Sequence, residues 1–353
     1  MNLNSLRKKV DSVDKKIIGL LNSRAGITKS IAQVKLKSGK SIYSPERERE
    51  VLRKLASLSN GPLPASALEA IYREIMSASL SLGMPLKISY LGPEATFTHL
   101  AALKRFGSQV KYIPCDSITD VFLEVEKDNA DYGVVPIENS VEGAVSHTLD
   151  MFMDSDLRIC SQIILDVAHH LLANCPKGKI RRVYSISQVF GQCRIWLQKN
   201  LAGVEIIEVS STTRAAQIAA KEKNSACIAS LLAAKVYKLK VVASDIEDSP
   251  HNVTRFLIVG KNDVPPTGCD RTSLMFSIKD KVGALHDMLL PFKKYRINLT
   301  KIESRPSKKK AWDYYFFVDL DGHRDNPRVK KALMELEDKC KFLKILGSYP
   351  LGE

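Results

Sequence analysis

Three polar residues follow an apolar run in the stretch 134–150, which reads VVPIENSVEGAVSHTLD. The run VVPI is short enough to lie inside a sheet, and Glu138, Asn139 and Ser140 come directly after it, ahead of an amphipathic helix predicted from about Val145. Open α/β sheets bind ligands where strands end, and the free N–H groups at a helix start attract an anion. The stretch therefore predicts an anion-binding site. An ordinary loop with Asn139 or Ser140 as helix cap is the alternative.

A cation interrupts an apolar seam near the N-terminus. Apolar residues recur in steps of three and four, the heptad pattern of a long helix, at positions 3, 6, 10, 13, 17, 20, 27, 31 and 34. The position due between Leu20 and Ile27 is Arg24. A guanidinium in a packed seam costs free energy unless an anion meets it. That anion is either a bound ligand or an internal carboxylate such as Glu48.

Two further basic residues belong to the same predicted helix. Lys35 lies three turns after Arg24 and about 20° from it around the axis. Arg7 is 17 residues before Arg24, about 25 Å along the axis, and serves the same pocket only if it comes from a second chain. A helix of more than 30 residues also needs a partner to bury its seam, so we expect a helical dimer.

Composition limits the class of protein. The chain has 353 residues, of which 44% are hydrophobic and 26% charged, enough for two or three domains with their own cores. The sequence lacks an apolar run of about 18 residues and a signal-peptide core, so we expect no membrane span. Its seven cysteines are scattered, without a CxxC pair. This pattern predicts reduced thiols in the cytoplasm, with no disulfide framework and no metal site.

The net charge of +14 is uneven. Residues 1–60 hold 14 Lys and Arg and 5 Asp and Glu, so they carry +9 of it. Nucleic acid is one partner that such charge attracts. The basic residues alternate with apolar ones along a helix, however, and no aromatic platform lies among them. A small polyanionic ligand fits such charge as well, and with the resemblances described below we expect no nucleic-acid partner.

The predicted elements fall into three groups. Helices are expected over the long seam, from Ser44-Pro45-Glu46, and over 64–82 before Gly83. Strands and helices then alternate in an α/β pattern large enough for two lobes. The strands of that part are predicted near 86–91, 110–113, 132–137, 159–172, 182–184, 204–209, 226–228, 240–243 and 255–259. After the linker 264–268, the order strand–helix–strand–strand–helix–strand is ferredoxin-like.

Residues 1–86, with LRKKVDSVDKKI and YSPERERE, resemble the all-helical AroQ-type chorismate mutase domain. The resemblance implies that the carboxylates of chorismate are held by Arg24, Arg47 and Arg7 of a partner chain. It also implies that Lys35 faces the ether oxygen and Glu48 accepts the hydroxyl. Ser79 would line the pocket. Two positions depart from the family pattern: Ser44 replaces a frequent Asp, and Gly83 replaces a Gln or Glu that assists Lys35.

Residues 87–263 resemble prephenate dehydratase through LGPEATFT, VPIENSVEGAVSHTLD, QVFGQCRIWL, SSTTRAA and IEDSPHNVTRFLIVG, in this order and spacing. The resemblance implies a two-lobed α/β fold similar to periplasmic binding proteins, with the substrate in the cleft. Thr254 matches the essential threonine, and Glu138 would assist it. The other residues implied to line the cleft are Thr96, Phe97, Asn139, Ser140, Gln192, Ser211 and Thr212.

The implied reaction removes hydroxide and CO2 from prephenate, so the leaving hydroxide must receive a proton or a strong hydrogen bond. A threonine hydroxyl is a weak acid, and we interpret Thr254 as a positioned donor or relay. Glu138, in an apolar setting, would be held partly protonated and assist.

Three other polar residues of this part are given structural interpretations. Arg255 should point to the strand face opposite Thr254 and pair with Glu247 or Asp248. His169 and His170 point apart as strand neighbours, and no carboxylate spacing accompanies them. We therefore expect neither a metal ligand nor a catalytic base in this pair.

Residues 269–353, with KVGALHDML and NLTKIESRP, resemble the ACT domain of phenylalanine-regulated dehydratases. The resemblance implies a ferredoxin-like α+β fold and an allosteric site for L-phenylalanine. The residues that match its amino-acid-binding motifs are Gly283, Ala284, Leu285, His286, Glu303, Ser304, Arg305 and Pro306.

The sequence thus predicts a cytoplasmic, multidomain, at least dimeric enzyme without cofactor. It would convert chorismate to prephenate and prephenate to phenylpyruvate, under inhibition by phenylalanine. Two alternatives stay open. In one, the helical domain only dimerises a dehydratase; in the other, the chain is a non-catalytic amino-acid sensor.

Overall fold

The computed structural model describes residues 2–38, 43–82, 85–249, 251–278, 281–307 and 314–351. The chain divides into two compact units. The first comprises Met1–Ile88 with Leu103–Tyr112, and the second comprises Ser89–Ala102 with Ile113–Glu353. Gly83, at which a departure from the mutase pattern was noted, lies outside the described residues.

Helices α1 (Leu3–Lys37), α2 (Pro45–Leu58) and α3 (Ala65–Ser81) form most of the first unit, as the heptad pattern and the start signals predicted. The side chain of Asn2 accepts a hydrogen bond from the Asn4 N–H and begins α1, while basic residues in its last turn suit the negative end of the helix. The seam of α1 stays largely exposed within one chain. Such a seam is an apolar surface that a partner would bury.

Helix α4 (Phe97–Phe106) follows strand β1 (Lys87–Leu91), and residues 103–112 belong to the helical unit. Gly107 ends α4 with φ +72°, and a Cβ atom there would lie 2.5 Å from Cβ of Ser77 in α3. Only glycine combines this left-handed conformation with such a close approach. The end of α4 is thereby fixed against α3.

The first sheet of the second unit has the strand order β2–β1–β3–β11–β5. The bounds of its other strands are Lys111–Cys115 (β2), Tyr132–Asn139 (β3), Arg158–Asp166 (β5) and Val253–Gly260 (β11), with the short β4 (Gly143–Ala144) beside β3. Helices α5 (Ile118–Glu126) and α6 (Ser146–Asp154) accompany this sheet.

A second sheet has the order β10–β6–β9–β7–β8. Its strands are His170–Ala173 (β6), Arg182–Ser185 (β7), Glu205–Glu208 (β8), Ser225–Ala229 (β9) and Lys240–Ala243 (β10). Helices Ser187–Gln192 (α7), Arg194–Asn200 (α8), Thr212–Lys221 (α9) and Leu231–Tyr237 (α10) connect them, with a 3-10 turn at Lys177–Lys179. The two sheets are the two lobes that the resemblance implied.

The single strand predicted over 159–172 is wrong. The structure divides it into β5 and β6, which belong to different sheets, and the chain crosses between the lobes at residues 167–169. It returns ahead of β11, which pairs with both β3 and β5. Two crossings place the ends of β3 and β11 beside the segment where the lobes meet.

The C-terminal part has the predicted ferredoxin-like order, with strands β12 (Asp270–Ser277), β13 (Leu299–Pro306), β14 (Tyr314–Asp321) and β15 (Phe342–Pro350) and helices α11 (Ala284–Lys294) and α12 (Pro327–Glu337). The sheet order is β13–β14–β12–β15. Leu274, Phe276 and Val318 pack beneath the two helices in its core.

This part shares a second core with the first lobe. Phe152, Ile159 and Leu257 pack in one cluster with Phe317 and Leu346. A Cβ atom at position 347, which is glycine, would lie 2.3 Å from the carbonyl oxygen of Ile159. Strand β15 therefore lies directly against β5, with no room for a side chain between the two backbones. Among the described helices, none is both long and apolar enough to cross a membrane.

Candidate active sites

A cavity of about 230 Å³ opens in the helical unit. It is lined by Arg24 and Lys35 of α1, Arg47 and Glu48 of α2, and Ser79 of α3. Arg24 and Lys35 were predicted from the helix pattern and the other three from the resemblance, and the helix packing brings these five together. With Arg73 and Arg105, the described lining holds five cations and one carboxylate, a set that suits a ligand with two carboxylates and a hydroxyl.

Arg24 points into this cavity and donates a hydrogen bond from Nη1 to Oγ of Ser79 at 3.0 Å. Within the described residues no ion pair joins it to Glu48, so the alternative in which Glu48 neutralises Arg24 is wrong. Ser79 is uncharged, and the guanidinium keeps its charge for an anion. Arg47 also lines the cavity, while its Nη1 contacts Glu50 at 2.5 Å on the exposed side of α2.

Arg7 lies exposed on α1, away from the lining of this cavity. Its role as a ligand of a second chain's substrate stays a prediction. Ser44 lines the cavity and donates a hydrogen bond to Glu46 instead of capping α2. Tyr43, Arg73 and Arg105 also line the cavity, and the sequence analysis did not consider them.

A chain of hydrogen bonds runs through the meeting point of the lobes. Asn139 donates from Nδ2 to Oγ1 of Thr254 at 2.8 Å and to Oδ1 of Asn252 at 2.7 Å. Asn252 donates to Oε1 of Gln192 at 3.0 Å, and the same oxygen is 2.7 Å from Nε2 of His169. Thr254, Asn139 and Gln192 were predicted cleft residues, and the chain joins all three.

The direction of these bonds leaves the Thr254 hydroxyl hydrogen for a ligand. Thr254 accepts from Asn139, and none of the described residues accepts a hydrogen bond from it. Gln192 Oε1 can only accept, so Nε2 of His169 carries the proton. Burial lowers the pKa of His169 below its ordinary 6.5, chiefly because the charged form is poorly solvated there. His169 is thus a neutral donor to Gln192. The sequence analysis, which treated His169 as a strand residue, did not predict this hydrogen bond.

The loop after β3 is shaped by its own polar groups. Asn139 Oδ1 accepts from the N–H groups of Val141 and Glu142, at 2.9 and 3.0 Å. Ser140 donates to the carbonyl of His251 and accepts from the Val253 N–H, both at 2.9 Å. Neither Asn139 nor Ser140 caps α6, whose N-terminal residue makes no side-chain cap. The helix-cap interpretation of this loop is therefore wrong, and the loop instead ties β3 to β11.

Glu138 and Arg255 differ from expectation. Glu138 is partly exposed and ion-paired, with Oε2 at 3.0 Å from Nζ of Lys301 and 3.7 Å from Nη1 of Arg255. The apolar setting predicted for Glu138 is wrong. Arg255 pairs at 2.6 Å with Asp319 of β14 and donates to the Tyr349 hydroxyl at 2.9 Å. It lies opposite Thr254 on the strand, as predicted.

The carboxylates expected to pair with Arg255 have other partners. Glu247 accepts from the His169 N–H at 2.8 Å. Asp248 accepts from the Ile195 and Trp196 N–H groups at the start of α8. Both stabilise the backbone around the crossing between the lobes.

The remaining predicted cleft residues lie where strands turn into helices. Thr96 accepts from the His99 N–H and Ser211 from the Arg214 N–H, so both cap helices. Phe97 meets the His169 ring edge-on, with centroids 5.6 Å apart. Thr212 is buried at the start of α9, and its neighbour Thr213 donates to the Glu94 carbonyl at 3.0 Å. The turns GPEATFT and SSTTRAA therefore meet.

The residues predicted to bind phenylalanine lie at the start of helix α11 and on strand β13. Gly283 has φ +76° and precedes α11, whose first turn holds Ala284, Leu285 and His286. Glu303, Ser304, Arg305 and Pro306 belong to the edge strand β13. Arg305 donates to Asp150 of α6 at 3.3 Å, so this strand contacts the dehydratase lobe directly.

A cation-lined helical pocket, a two-lobed α/β part with a polar cleft and a ferredoxin-like part define a multidomain enzyme acting on small anions. The sequence profiles of three families match in order: chorismate mutase type II over residues 6–83, prephenate dehydratase over 88–264 and the ACT domain over 272–338. The chain belongs to the bifunctional chorismate mutase/prephenate dehydratase family.

Two relatives of that description support this assignment over the whole length. The protein of Aquifex aeolicus is 52% identical, covering 99% of this chain and 98% of its own. That of Pseudomonas aeruginosa is 45% identical, covering 99% and 97%. The crystal structure of prephenate dehydratase from Arthrobacter aurescens in complex with L-Phe is 33% identical, with a TM-score of 0.70 over 75% of this chain and 90% of that one.

Proposed function

We propose that this chain rearranges chorismate to prephenate in its helical unit and converts prephenate to phenylpyruvate in its two-lobed part, under inhibition by L-phenylalanine. The observation that carries the proposal is a hydrogen-bond network in one polar cleft, which joins Thr254 to Asn139, Asn252, Gln192 and His169. The same chain also contains the cation-lined helical pocket.

The mutase pocket acts by position and charge. The rearrangement of chorismate is unimolecular and needs neither nucleophile nor base. A folded substrate and stabilisation of negative charge on the breaking C–O bond are sufficient. Arg24 and Arg47 bind the carboxylates, Lys35 donates to the ether oxygen, and Glu48 accepts from the hydroxyl. Arg7 of a second chain completes the pocket, and the exposed seam of α1 supports a dimer.

In the dehydratase cleft, Thr254 donates its hydroxyl hydrogen toward the leaving hydroxide of prephenate, while Asn139 fixes the oxygen. Loss of CO2 supplies the electron pair that expels hydroxide and makes the ring aromatic. Glu138 is held by Lys301 and Arg255. We therefore assign it an electrostatic role near the cleft in place of the proton donation expected from the sequence.

Regulation by phenylalanine follows from the contacts of β13. The amino acid binds near Gly283 at the start of α11 and near Glu303 on β13. The same strand carries Lys301 and Arg305, which contact Glu138 and Asp150. A ligand that shifts β13 therefore shifts residues beside the cleft. We expect the enzyme to act in the cytoplasm, which its free cysteines support.

One experiment tests the two activities separately. The purified chain is given chorismate, and prephenate and phenylpyruvate are measured over time, with and without L-phenylalanine. A second assay starts from prephenate. Accumulation of both products supports the proposal. If the chain converts prephenate but not chorismate, the helical unit serves only to dimerise the dehydratase. If it converts neither substrate, the chain is an amino-acid sensor without catalysis.

A further inference from the structure

Arg105 lines the cavity of the helical unit although it lies beyond the segment that resembles a mutase. It belongs to the last turn of α4, after the first strand of the dehydratase part. Its side chain is about one-fifth exposed, at 21%. The cavity that holds Arg24, Lys35 and Arg47 thus also contains an arginine from a different segment of the chain.

The end of α4 is rigidly fixed at this point. Gly107, two residues later, approaches α3 so closely that a Cβ atom would meet Ser77. Ser77 Oγ accepts from the Gln109 N–H at 3.1 Å, and Glu74 accepts from both N–H and Oγ of Ser108, at 3.2 and 2.7 Å. These bonds hold the backbone that carries Arg105, so its side chain enters the cavity from a defined position.

Contacts with the described residues Tyr43 and Glu48 orient the guanidinium. Nε of Arg105 donates to the Tyr43 hydroxyl at 2.8 Å, and the Tyr43 ring packs on Phe106 with centroids 5.0 Å apart. Nη2 of Arg105 lies 3.4 Å from Oε2 of Glu48. The Glu48 side chain is 11% exposed, and that oxygen is buried and accepts no hydrogen bond from the described residues.

A buried carboxylate without a hydrogen bond is costly unless a cation stands near it. Arg105 supplies that charge to Oε2, and Glu48 itself lines the cavity. We propose that Arg105 is a positioning residue of the mutase reaction, holding Glu48 where it accepts the substrate hydroxyl. The inference rests on the proposed mutase activity and adds to it a residue from outside the helical domain.

Arg105→Met tests the inference in the full-length chain. Methionine keeps much of the length and removes the charge. A small displacement of a group that orients the substrate reduces turnover strongly, so we expect mutase kcat to fall about 10-fold. The KM for chorismate should change less than about threefold, because Arg24, Arg47 and Lys35 still bind the carboxylates. Arg105→Lys should recover part of kcat, since it restores the charge without the fork of donors.

Matched variants separate positioning from folding. Lys104→Met removes the adjacent, exposed charge of α4 and should leave both activities at the wild-type level. Turnover of added prephenate and the far-UV circular dichroism report whether the chain folds. If Arg105→Met fails to fold, Tyr43→Phe replaces it as the test. That variant removes the bond to Nε and keeps the ring, and mutase kcat should fall about threefold.

The outcomes distinguish this inference from the function on which it rests. Unchanged mutase kcat and KM in folded Arg105→Met, or in Tyr43→Phe where Arg105→Met does not fold, would overturn the role of Arg105 while leaving the mutase activity established. A rise in KM with unchanged kcat would also overturn it, because Arg105 would then only attract the substrate. No conversion of chorismate by the wild-type chain would overturn both.

Discussion

Removing the carboxylate of Asp319 should destabilise the second unit more than removing any surface carboxylate. Asp319 of β14 and Arg255 of β11 form an ion pair at 2.6 Å, and their side chains are only 9% and 10% exposed. The pair joins the regulatory part to the strand that carries Thr254. Tyr349 takes part in the same cluster, and burial raises its pKa to about 12.

The magnitude follows from what Asp319→Ala leaves behind. Breaking a buried pair costs about 3–5 kcal/mol, mainly because the remaining charge has lost its partner. Arg255 retains the Tyr349 hydroxyl at 2.9 Å and Glu138 at 3.7 Å, so we expect the lower end of that range. A loss of about 3 kcal/mol corresponds to a fall of roughly 6–12 °C in Tm for a unit of this size.

The control is Asp128→Asn, because Asp128 has φ +60°, a conformation that asparagine adopts readily and alanine does not. Asp128 pairs with Lys261 at the same distance of 2.6 Å, but its side chain is 81% exposed. An exposed pair contributes less than about 1 kcal/mol. Calorimetry and urea unfolding of both variants measure the difference. Equal losses in the two variants would refute the argument that burial sets the cost. Arg255→Met combined with Asp319→Leu should lose less than either single variant, since no charge is then left unpaired.

Four further predictions concern the sites. Arg24→Ala should reduce mutase turnover about 100-fold by removing a buried charge contact of roughly 3 kcal/mol, and turnover of added prephenate should persist. Thr254→Val keeps the shape of the side chain without the hydroxyl, and should lower kcat on prephenate about 100-fold while mutase kinetics stay unchanged. Glu303→Ala and Gly283→Val should each abolish inhibition by phenylalanine in the dehydratase assay, and equal inhibition of wild type and variants would place the effector elsewhere. Because burial lowers the pKa of His169 below 6.5, the unfolded chain binds the proton more readily. The urea midpoint should therefore fall as pH drops from about 7.5 to about 5.5, and should fall less in His169→Asn.

The sequence predicted best where a residue violated a strong local pattern. Arg24 breaks a heptad seam, and the structure places it in the lining of the helical cavity, while the anion that it would bind stays a prediction. Lys35 and Glu48 followed from helix geometry and family resemblance, and the structure brings them to the same cavity. The order of the ferredoxin-like strands was likewise readable, because each strand is bounded by polar turns.

Prediction failed where the partner is distant along the chain. Arg255 was expected to pair with a carboxylate seven or eight residues away, but its partner Asp319 comes from another sheet. His169 was assigned to a strand, and its contact with Gln192 was not predicted, because an apolar run does not reveal that the chain leaves one sheet and enters another. Arg105 escaped notice because it follows the segment that carries the mutase motifs. Local sequence patterns predict the helix or strand to which a residue belongs, but not the distant residues that the fold packs against it.

The close approach of β15 to β5 has a consequence for how the chain folds during its synthesis on the ribosome. Arg158 of β5 donates to the Ile345 carbonyl across a sequence separation of 187 residues. At about 5–20 residues per second, a ribosome completes β5 roughly 10–40 s before its cover is made. During that time β5 first lacks its partner strand β11 and then forms the uncovered edge of its sheet, and the apolar residues beneath Phe317 and Leu346 lack their partners. Packing of the regulatory part against β5 is then also the last step in folding the dehydratase part. A stalled or nicked chain presents a sheet edge with which other chains can pair.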